Sequence, residues 1–345
     1  MKVLGEQMKS TNIKDVAKAA GVAVSTVSRV INNHTDVKEE TRLKVLEIIE
    51  DLNYVPNNSA RNLKRVNSKN IGIFVRGEYN LFFAELIESI EKEIALKGYS
   101  VIIHFQHGEE NAIEYAAQFV LEKRLIGLIY LGGVLEKKNE GYLMNLDIPV
   151  VFASTVIGQD VNKELFSSVS IDNISSSEKA VEHLVSLGHQ RIGMISAITS
   201  DHCIAQERHQ AYDNILKRHN LSPFYEFLER SDYSFESGYA GMSNLLDKGM
   251  KVTAVFVISD IMAIGAIRAI IDRGLSVPKD ISVVGFDGLD YGKYYSPSLT
   301  TIEQPKVELC NESCRILFNL LKQKDSGEHL VLETKLLERE SSRYI

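Results

Sequence analysis

Apolar positions along this chain follow two different rhythms. Over the first fifty residues they recur at helical spacing, and Ile13, Val16, Ala17 and Ala20 fall on one inward face. Gly21 permits the left-handed backbone that ends this helix, and Val22, Val27, Val30 and Ile31 form the matching face of a second one. Val24, Ser25, Thr26, Ser28 and Arg29 are left pointing outward. Two short helices joined at a glycine have the form of a helix-turn-helix, whose second helix enters the DNA major groove. Asp36 and Glu39 have the spacing of a capping box for a third helix over residues 38–53, with Leu43, Leu46, Ile49 and Leu52 closing a three-helix core. Pro56 blocks its continuation. Residues 57–65 have almost no hydrophobic face and are too short to hold a helix alone. They read either as a flexible linker or as a segment that orders only on DNA.

From Ile71 the rhythm changes to buried strands alternating with amphipathic helices. Strand signals fall at residues 71–75, 101–103, 125–131 and 149–153, with a helix over 82–97. A second series begins near Val169 and adds strands at 191–195, 254–258 and 281–286. Helices over 175–187, 205–219, 235–248 and 261–273 separate them. Such alternation implies parallel sheets covered on both faces, here in two similar lobes with a cleft between. Ligands in such sheets bind beyond the carboxyl ends of the strands.

Composition alters this picture at a few points. The 345 residues suffice for two or three domains, and 44% hydrophobic with 25% charged residues is ordinary for a globular chain. The net charge of −7 conceals an asymmetry: residues 1–70 carry 12 Lys/Arg against 8 Asp/Glu, so the surplus of negative charge lies in the remainder. A basic head on an acidic body puts any polyanion contact at the N-terminus. Residues 1–11 read as a loose tail, Met8 being an alternative start. No signal peptide or membrane-length apolar run is evident, so a cytoplasmic protein without membrane partners is expected. Cys203, Cys310 and Cys314 are odd in number and lack CxxC spacing, which suggests free, packed thiols and no metal site. His183 and His189 are poorly spaced as ligands, and capping or surface roles are expected. Dinucleotide, P-loop and nucleophile-elbow motifs are absent, so neither an enzyme nor a bound cofactor is expected.

The segments Ile13–Asn32, Leu52-Asn53-Tyr54-Val55-Pro56-Asn57, Val169-Ser170-Ile171-Asp172-Asn173 and His183–His189 stand in an informative order. With Val277–Asp287 and Pro297–Ile302, they make the chain similar to the lactose/galactose-repressor family of bacterial transcription regulators from Asn12 to about Arg339. The resemblance implies an all-α helix-turn-helix head (residues 12–55), a hinge helix or linker (56–69) and an α/β two-lobed, periplasmic-binding-protein-like effector and dimerisation domain (70–345). The lobes are expected at about 70–168 with 296–325, and 169–295 with 326–345. It further implies a repressor, working as a homodimer or dimer of dimers on a palindromic operator and switched by a small-molecule effector.

Base-reading positions match Val24, Ser25 and Arg29, supported by Thr26, Ser28 and Asn32. Arg29 is expected to carry most direct readout, because arginine addresses guanine bidentately. Tyr54, Asn57, Ala60 and Arg61 match further DNA contacts, and Leu63 matches the apolar wedge that the family inserts in the minor groove. On the effector side the matches are Phe82, Arg208, Tyr233, Ser259 and Asp287, with Asp172 as a further candidate. A carboxylate, a guanidinium and an aromatic platform suit a sugar. An ion pair between domains is the plainer alternative for Arg208 and Asp287. Ser259 stands where many relatives carry asparagine, so their effectors cannot be transferred. Arg218 is the one added basic residue noted near Arg208, which favours a neutral sugar. A purine effector, or control by a phosphorylated carrier protein docking on the first lobe, are the alternatives within the family.

Overall fold

The structure, a computed structural model, describes residues 13–31, 37–51, 69–77, 80–107, 111–197, 204–228, 233–249, 251–322 and 327–345. The chain divides into two compact units, Met1–Ser68 and Lys69–Ile345. Asn32, Tyr54, Asn57, Ala60, Arg61, Leu63 and Cys203, all singled out above, lie outside the described residues. So do Asp36 and the whole of the expected hinge segment before Lys69.

Three helices build the first unit: α1 (Ile13–Ala20), α2 (Val24–Ile31) and α3 (Glu39–Asp51). Gly21 takes φ +66°, and the Val22 amide donates back to the Ala17 carbonyl at 3.1 Å, closing α1 as its glycine foretells. Val16, Ala17, Ala20, Val27, Val30 and Val45 form the buried core, with Val22, Ile31, Val37, Ile48 and Ile49 packed against it. The roll of α3 corrects the sequence reading. Leu43 and Leu46 are 59% and 45% exposed, and the inward row is Val45, Ile48 and Ile49. Both rows have helical spacing, but α1 and α2 offer a single stripe and only one row can meet it.

The second unit holds two six-stranded sheets. Its first lobe runs β1 (Asn70–Arg76), α4 (Leu81–Leu96), β2 (Ser100–Gln106), α5 (Ala112–Lys123), β3 (Gly127–Leu131), β4 (Val134–Leu135), α6 (Glu140–Met144), β5 (Val150–Ala153), β6 (Val156–Ile157) and β7 (Ser167–Ile171). The chain then enters the second lobe as α7 (Asn173–Ser186), β8 (Ile192–Ala197), α8 (Ile204–Arg218), β9 (Phe224–Leu228), α9 (Phe235–Asp247), β10 (Ala254–Val257), α10 (Asp260–Asp272), β11 (Ser282–Asp287), α11 (Asp290–Tyr294) and β12 (Thr300–Glu303). It returns to the first as α12 (Lys306–Lys322) and β13 (His329–Leu332), and finishes in the second with β14 (Lys335–Leu337).

The sheet orders are β13-β7-β5-β3-β1-β2 and β14-β12-β11-β10-β8-β9. Every pairing in them is parallel except β12 with β14. This assigns strands differently from the expected lobe boundaries. β7 and β13 belong to the first sheet, and β12 to the second. The chain therefore crosses between lobes three times, after Ile171, after Glu303 and after Leu332. A strand's own sequence records that it is buried, not which sheet receives it.

Alternation with period two sorts the first lobe's core. Ile71, Ile73 and Val75 of β1 pack on the face shared with Leu86, Ile90 and Leu317, while Phe74 faces Phe119, Tyr130 and Phe152 on the other. Cys310 and Cys314 are buried, unpaired thiols in the first of these cores. In the second lobe α9 and α10 approach to backbone contact. A Cβ on Gly238 would stand 1.9 Å from the Met262 carbonyl oxygen, and one on Gly265 2.0 Å from that of Phe235.

His183 and His189 are neither caps nor surface residues but buried anchors for the C-terminal segment. His183 Nε2 pairs with the Ser342 hydroxyl at 3.0 Å. His189 pairs with the hydroxyls of Thr253 (3.0 Å) and Ser282 (3.1 Å) and with the Arg343 carbonyl (3.1 Å). Burial holds both imidazoles below their usual pKa.

Candidate effector cleft and DNA-binding face

The carboxyl ends of β10, β11 and β12 deliver Ser259, Asp287 and Gln304, and the first turns of α8 bring Arg208 to the same place. Doubly wound sheets present ligand sites at this edge, because the loops there can diverge while the strands stay rigid. Arg208 is 4% exposed. Its Nη1 lies 3.8 Å from Asp287 Oδ1 and donates to the Ile258 carbonyl at 2.5 Å. Nε and Nη2 reach Asn173 Oδ1 at 3.4 Å, and the guanidinium lies 3.5 Å from the centroid of the Phe286 ring. Asn173 Nδ2 donates onward to Glu207 at 2.9 Å. The arginine fork is thus held on all sides, which fixes its direction.

Asp287, 8% exposed, adopts φ +124°, a backbone rarely accepted by an L side chain. Gln304 Nε2 donates to its Oδ1 at 2.8 Å. Burial raises the Asp287 pKa, against the opposing pull of Arg208, Gln304 and Lys306. Behind it, Asp260 accepts the Thr301 hydroxyl at 2.5 Å and the Leu289 amide at 2.7 Å, pinning the turn that follows Asp287. Burial and the neighbouring Asp287 charge raise the Asp260 pKa.

The other expected cleft residues are placed as follows. Ser259 is buried and caps α10, its oxygen accepting the Met262 amide at 3.3 Å. Asp172 is exposed at the first crossing and caps α7 by accepting the Ser175 amide at 2.9 Å. Tyr233 is half-buried at φ +54°, just ahead of α9, and its electrostatic influence reaches Arg208. Phe82 is 5% exposed in an apolar cluster that also contains Ile261 and Leu289 of the second lobe. Arg208 and Asp287 are paired, but inside one lobe rather than between domains. Arg218 is not a cleft residue. It is 57% exposed and faces Glu178 (3.4 Å) and Glu182 (3.9 Å).

Sequence reasoning overlooked three participants. Asn173 and Gln304 both follow a buried strand by one or two positions, a signal the chain does carry. Lys306 is a further cation, whose charge acts on Asp287. It pairs with Glu85 of α4 and donates to the Gly288 carbonyl at 3.2 Å, tying the first lobe to the turn after Asp287. Together these groups can accept hydroxyl protons, donate to oxygens and present an aromatic face. Among the described residues, no group of three His, Cys, Asp or Glu side chains could hold a metal ion.

On the head, Ser25 and Arg29 are exposed and Val24 is 40% exposed, while Thr26 and Ser28 are half-buried. All five lie on α2, outside the Val27–Val30 core face. No helix among the described residues is long and apolar enough to cross a membrane.

Comparison with known proteins agrees with both parts. Residues 12–57 match bacterial regulatory proteins of the lacI family, and residues 181–342 match a periplasmic binding protein-like domain. The HTH-type transcriptional regulator MalR of Clostridium butyricum is 44% identical over 333 residues, 96% of this chain and 98% of the relative. The HTH-type transcriptional repressor PurR of Mannheimia succiniciproducens is 34% identical, covering 96% and 99% of the two chains. Among solved structures, the lac repressor dimer bound to operator and the anti-inducer ONPF is similar at a TM-score of 0.70 and 30% identity, covering 97% of this chain and 100% of that one. A complex of the regulator CelR with cellobiose gives 0.68 at 27% identity, with 96% and 99% coverage. With near-complete coverage of relatives above 30% identity, the chain belongs to the lacI family of transcriptional regulators.

Proposed function

We propose that this regulator is a repressor that grips a near-palindromic operator as a dimer and releases or tightens that grip when a neutral sugar enters the cleft of Arg208 and Asp287. One observation carries the ligand class: both cations of the cleft are already matched by carboxylates, Arg208 by Asp287 and Lys306 by Glu85. Among the described residues no excess positive charge remains there to reward a phosphate, whereas the density of acceptors and donors suits hydroxyls. The CelR relative was solved with a sugar, cellobiose, which supports the same reading. Arg208, Asp287 and Gln304 are all under 10% exposed, so a ligand reaches them only when the lobes part along the three crossings. Coupling between such closure and operator affinity is typically about 1–3 kcal/mol, enough for a switch.

Arg208, Asp287, Tyr233, Ser259 and Phe82 are the proposed effector residues, with Asp172 a structural cap beside them. Arg29 is the proposed principal base reader, with Val24 and Ser25 beside it and Thr26 and Ser28 in support. Asn32, Tyr54, Asn57, Ala60, Arg61 and Leu63 complete the proposed DNA contacts. Calorimetric titration with ribose, maltose, cellobiose, hypoxanthine and guanine, followed by anisotropy on a selected inverted repeat, tests the proposal. Binding of a sugar that shifts operator affinity is expected. Response to a purine alone defeats the sugar reading, and failure to prefer any inverted repeat defeats the whole.

A further inference from the structure

Lys306 opens α12 directly after the second crossing, and its side chain is 20% exposed. Its ammonium pairs with Glu85 in the second turn of α4 and donates to the Gly288 carbonyl of the second lobe at 3.2 Å. The residues around that carbonyl are committed as well. Asp287 before it faces Arg208, and Leu289 after it is fully buried in the first-lobe cluster that contains Phe82. Gly288 takes φ +69°, and a Cβ on it would stand 2.6 Å from the Glu303 Cα, so the turn lies hard against the crossing. The turn of the effector carboxylate, the crossing and the first lobe therefore meet at one ammonium. A largely buried ion pair adds little net stability, because desolvation offsets the attraction; what it can fix is a single arrangement.

Both α4 and α12 begin at the carboxyl edge of the first sheet and run to its opposite edge, packed together through Leu86, Ile90, Leu309 and Leu317. With 17 residues α12 spans about 25 Å. At the far end the Phe318 ring stands 5.4 Å from that of Tyr99. The Lys69 ammonium lies 6.0 Å from the Tyr99 centroid, and the Ser100 amide donates to the Lys69 carbonyl at 2.9 Å. Lys69 is the first residue of the second unit, where the chain arrives from the DNA-binding head. We infer that Lys306 is a positioning residue that transmits occupancy of the cleft towards the head: it fastens the Asp287–Leu289 turn to Glu85, so that movement of the turn carries the α4–α12 pair, whose far end holds Lys69. This rests on the reading of the Arg208–Asp287 cleft as a small-molecule site. Close-packed helices suit the task, because they shift as rigid bodies and absorb little of a displacement. Without the ammonium the turn can respond to a ligand while α4 stays in place.

The test uses the full chain. Ribose, maltose, cellobiose, hypoxanthine and guanine are titrated calorimetrically, and the compound that binds is carried into anisotropy on a selected inverted repeat. The quantity read is the ratio of operator affinities with and without that compound, each variant being saturated according to its own titration. Such ratios are typically about 5–150. Lys306→Met should bring the ratio to within about threefold of unity, and Lys306→Arg, which keeps a cation for Glu85 and a donor for Gly288, should restore most of it. Glu85→Gln should lower the ratio in the same direction, and serves if the methionine variant fails to fold by circular dichroism. Combined with Lys306→Met it should lower the ratio no further, since both changes break one link. A purely structural Lys306 would reduce the melting temperature or the ligand affinity and leave the ratio at its parent value, which overturns the inference. A parent protein that binds a compound with no change in operator affinity has nothing to transmit, and overturns the inference while the cleft reading stands. Silence of the parent toward every compound overturns the cleft reading and the Lys306 assignment together.

Discussion

Replacing Gly265 by alanine tests whether the contact between α9 and α10 positions the cleft. The added Cβ would stand 2.0 Å from the Phe235 carbonyl oxygen, whereas contacts under 3.0 Å essentially do not occur. The oxygen must therefore retreat by about 1 Å, and because both sides of the clash are backbone, no side chain can rotate to relieve it. Overpacking of this kind costs about 1–3 kcal/mol, and a rigid contact belongs at the upper end. For a unit of this size that corresponds to a fall in Tm of roughly 2–5 °C, nearer 5 °C for a rigid contact. The displacement also reaches the site, since Tyr233 precedes the first turn of α9 and Ser259 that of α10. Effector affinity should fall with stability. Differential scanning calorimetry and ligand titration on Gly265→Ala supply both numbers. Gly141→Ala is the control: a Cβ there meets nothing within 4 Å, and a helical alanine should be neutral or slightly stabilising. A Gly265→Ala protein that melts with the parent would refute the packing argument.

Arg208→Met should lower sugar affinity by about a hundredfold, as expected when a buried, charge-assisted donor is lost, and binding within a few-fold of the parent would reduce Arg208 to a structural ion pair. Arg29→Ala should weaken binding to the selected inverted repeat by about 1–3 kcal/mol while barely changing binding to scrambled DNA. Equal weakening on both would make Arg29 a phosphate contact. Burial holds His183 and His189 below their usual pKa, so the unfolded chain takes up protons first, and the stability they contribute above about pH 6.5 is lost on acidification below it. Asp260 and Asp287, with raised pKa values, act in the opposite sense, so the diagnostic is the difference between parent and His189→Gln across pH 7.5 to 5. Chemical denaturation should show a shallower acid decline for the variant, and parallel curves would contradict the assignment.

Much of the fold was legible because it rests on local periodicity. The helix break at Gly21, the buried run of β1 and the alternation of strand and helix are each written within a dozen neighbouring residues. Arg208 and Asp287 were legible too, through resemblance, and the structure brings them within 3.8 Å. Legibility failed where two local solutions were equally good. The row Leu43–Leu46 and the row Val45–Ile48 both satisfy a helix, and the choice belongs to the face offered by α1 and α2. His189 resembled a surface residue after a helix end until Thr253, Ser282 and Arg343, all distant in the chain, closed around it.

The sequence by itself determined a helix-turn-helix head, a doubly wound two-lobed body and the chemical character of the residues at its strand ends. Only the tertiary structure decided which sheet receives β12 and β13, that Lys306 is matched by Glu85, and that Gln304 meets Asp287 with its amide oxygen left unpaired. Periodicity and propensity act between near neighbours, and they specify faces and caps. Partner choice for a buried charge or amide depends on groups tens to hundreds of residues away, whose desolvation costs are settled only when the whole chain has packed.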